Sequence, residues 1–164
     1  MPLHRTGVAA FLVPLLASVA LASVAPVGQT GVAETRADLD TVVVRHVTAL
    51  LSDRFGPAWR RVHPVDRRAI GRKLWQGCKR SSGGSLAAVR YLGVDVVDSR
   101  PVTFSSELHR RIDAVAETVE VYATLDSVPF TAQGTSHWTL ADGRWARVVE
   151  QPKLAAYSVG RCPA

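Results

Sequence analysis

Residues 136–149 read Ser-His-Trp-Thr-Leu-Ala-Asp-Gly-Arg-Trp-Ala-Arg-Val-Val, and this stretch decides the fold. Asp142-Gly143 lies between two runs that are rich in Trp, Thr, Val and Leu. Asp-Gly favours a two-residue turn, because both central residues of that turn need a positive φ. The stretch therefore predicts a β-hairpin. Since an isolated hairpin is marginally stable, the hairpin must belong to a larger sheet.

The turn also sets the register of the hairpin. The expected pairs are Leu140–Trp145, Thr139–Ala146, Trp138–Arg147 and His137–Val148. Trp138 and Trp145 then share one face, which we predict to be buried. His137 and Thr139 lie on the other face. Alternation alone does not decide whether that face meets a pocket or solvent.

The N-terminus has the pattern of an export signal. His4 and Arg5 precede an uncharged apolar run over residues 8–22, followed by small residues suited to signal-peptidase cleavage. We predict a signal peptide over residues 1–22, with a junction as late as residue 33 as the alternative, and a linker over 23–35. An uncleaved membrane anchor is the rival interpretation, although the run is short and rich in Ala and Ser.

The chain has two cysteines, Cys78 and Cys162. In an oxidising compartment a single pair is most simply a disulfide, which would tie the helical region to the C-terminus. Two free thiols are the alternative. The Cys and His residues show no metal-ligand spacing, and no phosphate-binding or dinucleotide-binding loop is recognisable, so the sequence indicates no metal and no cofactor.

The formal charge of +6 comes mainly from arginine, and the helical region is its most basic part. Residues 60–80 include eight basic residues but only one acidic residue, Asp66. This region is either a patch for an acidic partner or an ordinary solvated helix surface. Nucleic acid is not an expected partner, because the chain carries an export signal and its basic residues are not interleaved with aromatic residues.

Periodicity places helices before strands, which predicts an α+β domain over residues 36–164. The expected elements are helices over 39–55 and 65–79, separated by a segment anchored by Trp59, and strands over 88–97, 102–104 and 112–125, before the hairpin. Gly56-Pro57 is expected to end the first helix, and Ala114–Ala116 to form a bulge. Turns are expected over 98–101 and 126–134, around Pro101 and Pro129.

With a long first helix, a short second one and a closing Trp-x-Leu-x-Asp-Gly-x-Trp hairpin over Trp138–Trp145, the chain resembles the NTF2-like (SnoaL-like) superfamily. The exported setting and the late cysteine are similar to actinobacterial envelope proteins with this fold. The resemblance implies N-terminal helices packed on a strongly bent antiparallel sheet, a cone with an open pocket. Some members of this superfamily are enzymes and many are non-catalytic binders or dimerisation modules, so the resemblance also makes a homodimer one possibility.

The pocket implied by the resemblance would be lined by Tyr91, Tyr122, His137 and Thr139. We expect a non-enzymatic domain that binds a small apolar ligand or a protein partner in the cell envelope. One alternative is an isomerase or dehydratase that uses His137 with a carboxylate such as Asp113. Another is an accessory module that contacts the membrane through an uncleaved N-terminus.

Overall fold

A computed structural model describes residues 33–83 and 89–163 of the chain. The predicted signal peptide and most of the predicted linker lie outside this part. A turn of 3-10 helix over Arg36–Asp38 opens the domain. The remaining elements are α1 Leu39–Leu51, α2 Phe55–Arg60, α3 Pro64–Ile70, α4 Arg72–Gly83, β1 Val89–Phe104, β2 Ile112–Leu125, β3 Val128–Ala141, β4 Arg144–Val148 and α5 Gln151–Ser158.

The first predicted helix is shorter than expected, and the second is divided in two. The first ends at Leu51, and the chain turns through Asp53, whose φ is 56°. Gly56-Pro57 does not end this helix, as the sequence suggested, but lies in the first turn of α2, where a proline is tolerated. The second is interrupted by Gly71, whose φ of 77° is available to glycine at little cost and separates α3 from α4.

Helices α2 to α5 share a hydrophobic cluster that is distinct from the one beneath the sheet. Trp59 and Trp75 lie at its centre, with ring centroids 5.3 Å apart. Cys78 is buried in the same cluster and forms the predicted disulfide with Cys162, at a Cα–Cα distance of 5.1 Å. The C-terminus is thereby fastened to α4, and a disulfide of this kind is typical of an oxidising, extracytoplasmic environment.

The four strands form one curled antiparallel sheet in the order β1-β2-β3-β4, which confirms the α+β class. The hairpin has the predicted register, and Asp142 and Gly143 both have a positive φ. Trp138 and Trp145 are buried against Leu39, Val42 and Val43 of α1. We call this side of the sheet the α1 face and the opposite side the reverse face.

Strand β1 carries two β-bulges, and the first of them keeps Val89, Tyr91, Val94 and Val96 on one face. We predicted a bulge over Ala114–Ala116 of β2, but the register there is continuous. The extra residues are Leu92 and Val97 of β1, which have no partner in register. One extra residue reverses the alternation of side chains, so Tyr91 and Val94 both point to the α1 face although they are three residues apart.

Two predicted turns are parts of strands. The segment 98–101 belongs to β1, and most of 126–134 belongs to β3. Both predictions rested on prolines, Pro101 and Pro129. Each proline lies where its strand is a sheet edge, because β1 is an outer strand and β4 pairs only with residues 137–141 of β3. A proline there costs no sheet hydrogen bond.

The outer edge of β4 is closed by the segment that precedes α3 and by two carboxylates. Its outward N–H groups donate to Glu34 Oε2 from Trp145 (2.6 Å), to the Arg61 carbonyl from Arg147 (2.7 Å) and to Asp66 Oδ2 from Val149 (2.9 Å). His63 returns a bond from its backbone N–H to the Arg147 carbonyl at 2.8 Å. The helical half is thus fastened to the sheet through backbone polar groups.

Replacing both cysteines with alanine, Cys78→Ala with Cys162→Ala, should lower the free energy of unfolding by about 2–5 kcal/mol. The disulfide closes a long loop, with a sequence separation of 84 residues, and so restricts the unfolded chain. Urea unfolding of the oxidised protein and of the double variant measures the difference. The wild-type protein under reducing conditions controls for the lost Cys78 packing, and equal stability of the oxidised and reduced wild type would contradict the prediction.

Candidate functional site

The four residues predicted to contact a ligand are divided between the two faces of the sheet. Tyr91 pairs with Ala123 on the α1 face. By alternation Tyr122, His137 and Thr139 lie on the reverse face. Tyr122 donates a hydrogen bond to Glu120 at 2.8 Å, and this bond raises the pKa of the phenol. Because Tyr91 lies on one face and the other three residues on the opposite face, a single ligand contacting all four residues stays a prediction.

The structure does not bring His137 and Asp113 together. Asp113 is exposed and, by the alternation of side chains along β2, lies on the α1 face, whereas His137 lies on the reverse face. The neighbours of His137 are Phe104, at 5.1 Å between ring centroids, and Glu150, at 3.6 Å from Nδ1 to the carboxylate. Thr139 uses its hydroxyl within the sheet, where it donates to the Asp113 carbonyl at 2.8 Å.

The outer half of the α1 face is a continuous apolar surface, which we call the apolar ladder. It consists of four cross-strand rungs, each with one residue from β1, β2 and β3. The rungs are Val96–Val119–Gly134, Val94–Val121–Ala132, Tyr91–Ala123–Phe130 and Val89–Leu125–Val128. Val94, Val96 and Val119 pack with the residues of α1. The ladder therefore begins beneath α1 and continues to the β2–β3 turn.

The far rungs of the ladder are open to solvent. Val128 is 66% exposed, Leu125 46% and Phe130 40%. The reverse side of the same rungs is polar, with residues such as Asp95, Glu120, Thr131 and Gln133. Because only one of the two faces is apolar along these four rungs, this part of the sheet has a defined surface for contact with another apolar surface.

A buried carboxylate lies beside the inner end of the ladder. Glu117 is fully buried, and its Oε1 accepts hydrogen bonds from Arg36 at 2.9 Å and from Ser99 at 2.5 Å. Within the described part of the chain, its Oε2 is buried without a hydrogen-bond partner. Arg36 supplies the positive charge that a buried carboxylate requires, so the ladder ends in an ion pair on this side.

A cationic pocket of about 220 Å³ lies on the helical side of the molecule, between α1, α2 and the closing hairpin. Four arginines line it, together with the apolar side chains of α1 and α2: Arg45, Arg60, Arg61 and Arg144. Arg61 pairs with Glu34 at 2.9 Å. In the part of the chain that the structure describes, the other three have no carboxylate within 4.0 Å. The pocket can therefore accommodate an anionic group.

His46 of α1 lines this pocket and is buried, with 3% of its surface exposed. Its ring lies edge-on to Trp138 at 5.2 Å, and among the described residues neither ring nitrogen has a hydrogen-bond partner. Burial, followed by the charges of Arg147 and Lys79, holds the pKa of His46 well below its ordinary value of 6.5. A buried polar group of this kind often marks a place where water, an ion or a ligand binds.

Sequence reasoning missed His46 and also the contact between Asp66 and His109. A signal existed for His46, because it follows Val42 by four residues and Val43 by three and so continues the buried stripe of the helix. No comparable signal existed for the second contact. Asp66 and His109 are 43 residues apart, and one of them comes from a loop.

No model of a known protein family matches the chain, and no curated protein shows detectable similarity to it. The structure by itself establishes an α+β fold with a curled sheet, an arrangement that is compatible with a cone-like fold. Across residues 33–83 and 89–163, the helices lack the combined length and apolarity needed to cross a membrane.

The stability of the protein should fall below about pH 6.5 in a way that depends on His46. The unfolded chain binds a proton near pH 6.5, whereas the folded state holds this ring neutral to lower pH. Between these two pKa values the unfolded state binds more protons, so the free energy of unfolding decreases by at most about 1.4 kcal/mol per pH unit as pH falls.

Urea unfolding between pH 7.5 and pH 5 measures this dependence in the wild type, in His46→Leu and in His137→Gln. The leucine variant should lose part of the slope, and His137→Gln, which replaces a partly exposed histidine outside the pocket, is the comparison for loss of an imidazole elsewhere. Parallel slopes in wild type and His46→Leu would contradict the prediction, because they would mean that folding does not change the pKa of this ring.

Proposed function

We propose that this chain is an extracytoplasmic, non-enzymatic binding domain of the NTF2-like kind, and that it binds an apolar partner surface on the apolar ladder. The observation that carries the proposal is the ladder itself, four rungs of apolar residues from three strands backed by a polar reverse face. A contiguous exposed apolar surface of this kind marks an interaction site in soluble proteins.

The exposure of the ladder favours a protein partner over a small apolar ligand. Small-molecule sites bury most of the ligand in a concave cavity. The outer rungs instead present side chains such as Val128 and Phe130 on an open sheet surface, with 66% and 40% exposed. A protein partner of the cell envelope could cover this surface with an apolar strand or helix face.

The compartment and the family likeness have separate support. The Cys78–Cys162 disulfide suits an oxidising compartment, and the sequence of residues 1–22 has the pattern of an export signal. The order of elements, helices followed by a curled sheet that ends in a Trp-rich hairpin, agrees with an NTF2-like cone. The separation of His137 from Asp113 on opposite faces favours binding over catalysis by this pair.

The proposal predicts that a photo-crosslinker on the ladder captures a partner, whereas one on the reverse face does not. p-Benzoylphenylalanine can replace Phe130 or its neighbour Thr131, both of which are exposed and which point to opposite faces. After irradiation in the native host, crosslinks should form from position 130 in preference to position 131. Gel mobility and mass spectrometry detect them.

The mass of the adduct identifies the occupant. A second protein supports the proposal directly, a small added mass supports the apolar-ligand form of it, and twice the mass of the chain indicates a homodimer through the ladder. Equal labelling from positions 130 and 131, or no labelling from either, would contradict a binding role for this face. Circular dichroism of both variants checks that the fold is retained.

The cationic pocket supports a second candidate function, the binding of a small anionic molecule. The observation that favours it is the combination of Arg45, Arg60 and Arg144, which have no carboxylate partner in the described residues, with the buried, unpartnered ring of His46. Hydrogen bonds from arginine to an anion are strong, particularly where water is partly excluded.

Inorganic pyrophosphate is a suitable probe, and isothermal titration calorimetry at low and high salt measures its binding. Arg45→Gln should weaken the affinity by about tenfold, because one charged hydrogen bond is lost. Arg90→Gln, an exposed arginine of β1 that does not line the pocket, is the matched control. Equal affinity in both variants would argue against an anion site in this pocket.

A further inference from the structure

His63, Asp66 and His109 form a compact cluster where α3 meets the segment between β1 and β2. Each of the three residues offers one possible ligand atom, and these three atoms lie within 4.8 Å of one another. His63 is the N-cap residue of α3, and Asp66 follows three residues later in its first turn. His109 arrives from the segment 105–111, so the fold assembles the cluster from two distant parts of the chain.

Two members of the cluster are almost completely shielded from solvent. Asp66 is fully buried, His109 is 4% exposed, and Asp66 Oδ1 lies 2.7 Å from His109 Nε2. Asp66 Oδ2 is held in place by the N–H of Val149 at 2.9 Å. The carboxylate is therefore fixed in orientation, with one oxygen directed at the imidazole.

The buried carboxylate requires a positive partner. In the described part of the chain, no lysine or arginine lies within 4.0 Å of Asp66, whose partner in an ion pair is His109. An unpaired charge away from water is costly, and the imidazole or a cation bound between these groups can supply the counter-charge that an ionised Asp66 needs.

We propose that His63, Asp66 and His109 bind a divalent transition-metal ion, with Zn²⁺ as the expected ion. Two imidazoles and one carboxylate form a ligand set suited to zinc, and three protein ligands leave a fourth tetrahedral position for water. Ligand atoms in such a site are about 3.3 Å apart, since the metal bonds measure about 2.0–2.1 Å. Asp66 Oδ1 and His109 Nε2 are 2.7 Å apart in the structure, so the ion would replace their hydrogen bond and move these two atoms apart. The third ligand, His63, is partly exposed and lies within 4.8 Å of the other two.

The ion would tie the segment 105–111 to α3. This segment precedes β2 and places His109 against Phe104, at 6.2 Å between ring centroids, and against His63 at 4.5 Å. Because Asp66 also holds the end of β4 through Val149, metal binding would reinforce the junction between the helical half and the sheet. The site is separate from both the apolar ladder and the cationic pocket, so it does not depend on the proposed function.

Zinc binding to the untagged protein tests the proposal. After dialysis against a chelator, Zn²⁺ is titrated calorimetrically, and Co²⁺ replaces it to report tetrahedral coordination by visible absorption. One equivalent should bind and should raise the Tm of the wild type, because a ligand of the folded state stabilises it. His63→Asn should weaken binding by at least about tenfold. Asparagine is itself a favoured N-cap, so the start of α3 is retained.

His137→Asn is the matched control, because this histidine is also partly exposed but lies outside the cluster. It should bind Zn²⁺ with wild-type affinity. Absence of Zn²⁺ binding to the wild type, or equal affinity in His63→Asn and wild type, would overturn the proposal and leave a hydrogen-bonded Asp66–His109 pair. If His63→Asn fails to fold by circular dichroism, Asp66→Asn takes its place with the same expected loss of binding.

Discussion

The outer edge of β4 is the constraint on which the rest of the structure depends. β4 is only five residues long, and an open edge of a short strand would expose backbone donors. Here the outward N–H groups of Trp145, Arg147 and the following Val149 all have acceptors, two of them carboxylates and one a backbone carbonyl. The segment Arg61–His63 consequently lies beside β4 as a short parallel partner. This pairing fixes where α3 begins and therefore where Asp66 lies.

The same arrangement explains why the two halves of the sheet differ so much in burial. Near β4, both faces of the sheet are covered, and residues 114–117 of β2 are buried without alternation. Toward the β2–β3 turn the sheet is no longer covered by other elements of the described chain. Its side chains there alternate between apolar residues on the α1 face and polar residues on the reverse face. The bulge at Leu92 of β1 is required for this pattern, since without it Val89 and Val94 would point to opposite faces.

The sequence predicted the parts of the fold that rest on local chemistry. The Asp142-Gly143 turn predicted the register of the hairpin, because a two-residue turn allows only one pairing of the residues on either side of it. That register placed Trp138 and Trp145 on one face, which was predicted to be buried. The disulfide followed from the presence of a single pair of cysteines. The helix breaks at Asp53 and Gly71 were missed because apolar periodicity continues across them.

The remaining errors, and the questions that the sequence left open, share one physical cause, which is that tertiary context decides them. Pro129 is typical of a loop in the sequence. In the structure β4 is too short to pair with this part of β3, so Pro129 lies at a sheet edge, where proline is tolerated. The face of His137 depended on what covers each side of the sheet, and the sequence does not contain that information. The His–Asp cluster is set by the packing of the segment 105–111 on α3, which no spacing along the chain encodes.

The distribution of charged and apolar features favours a division of roles between the two halves of the molecule. The helical half is closed by the disulfide and by the β4 edge, and it carries the cationic pocket and the His–Asp cluster. The sheet half extends beyond this support and presents the apolar ladder. A supported base with an extended apolar surface would suit the proposed binding role, because a surface that is already ordered loses little conformational entropy on binding.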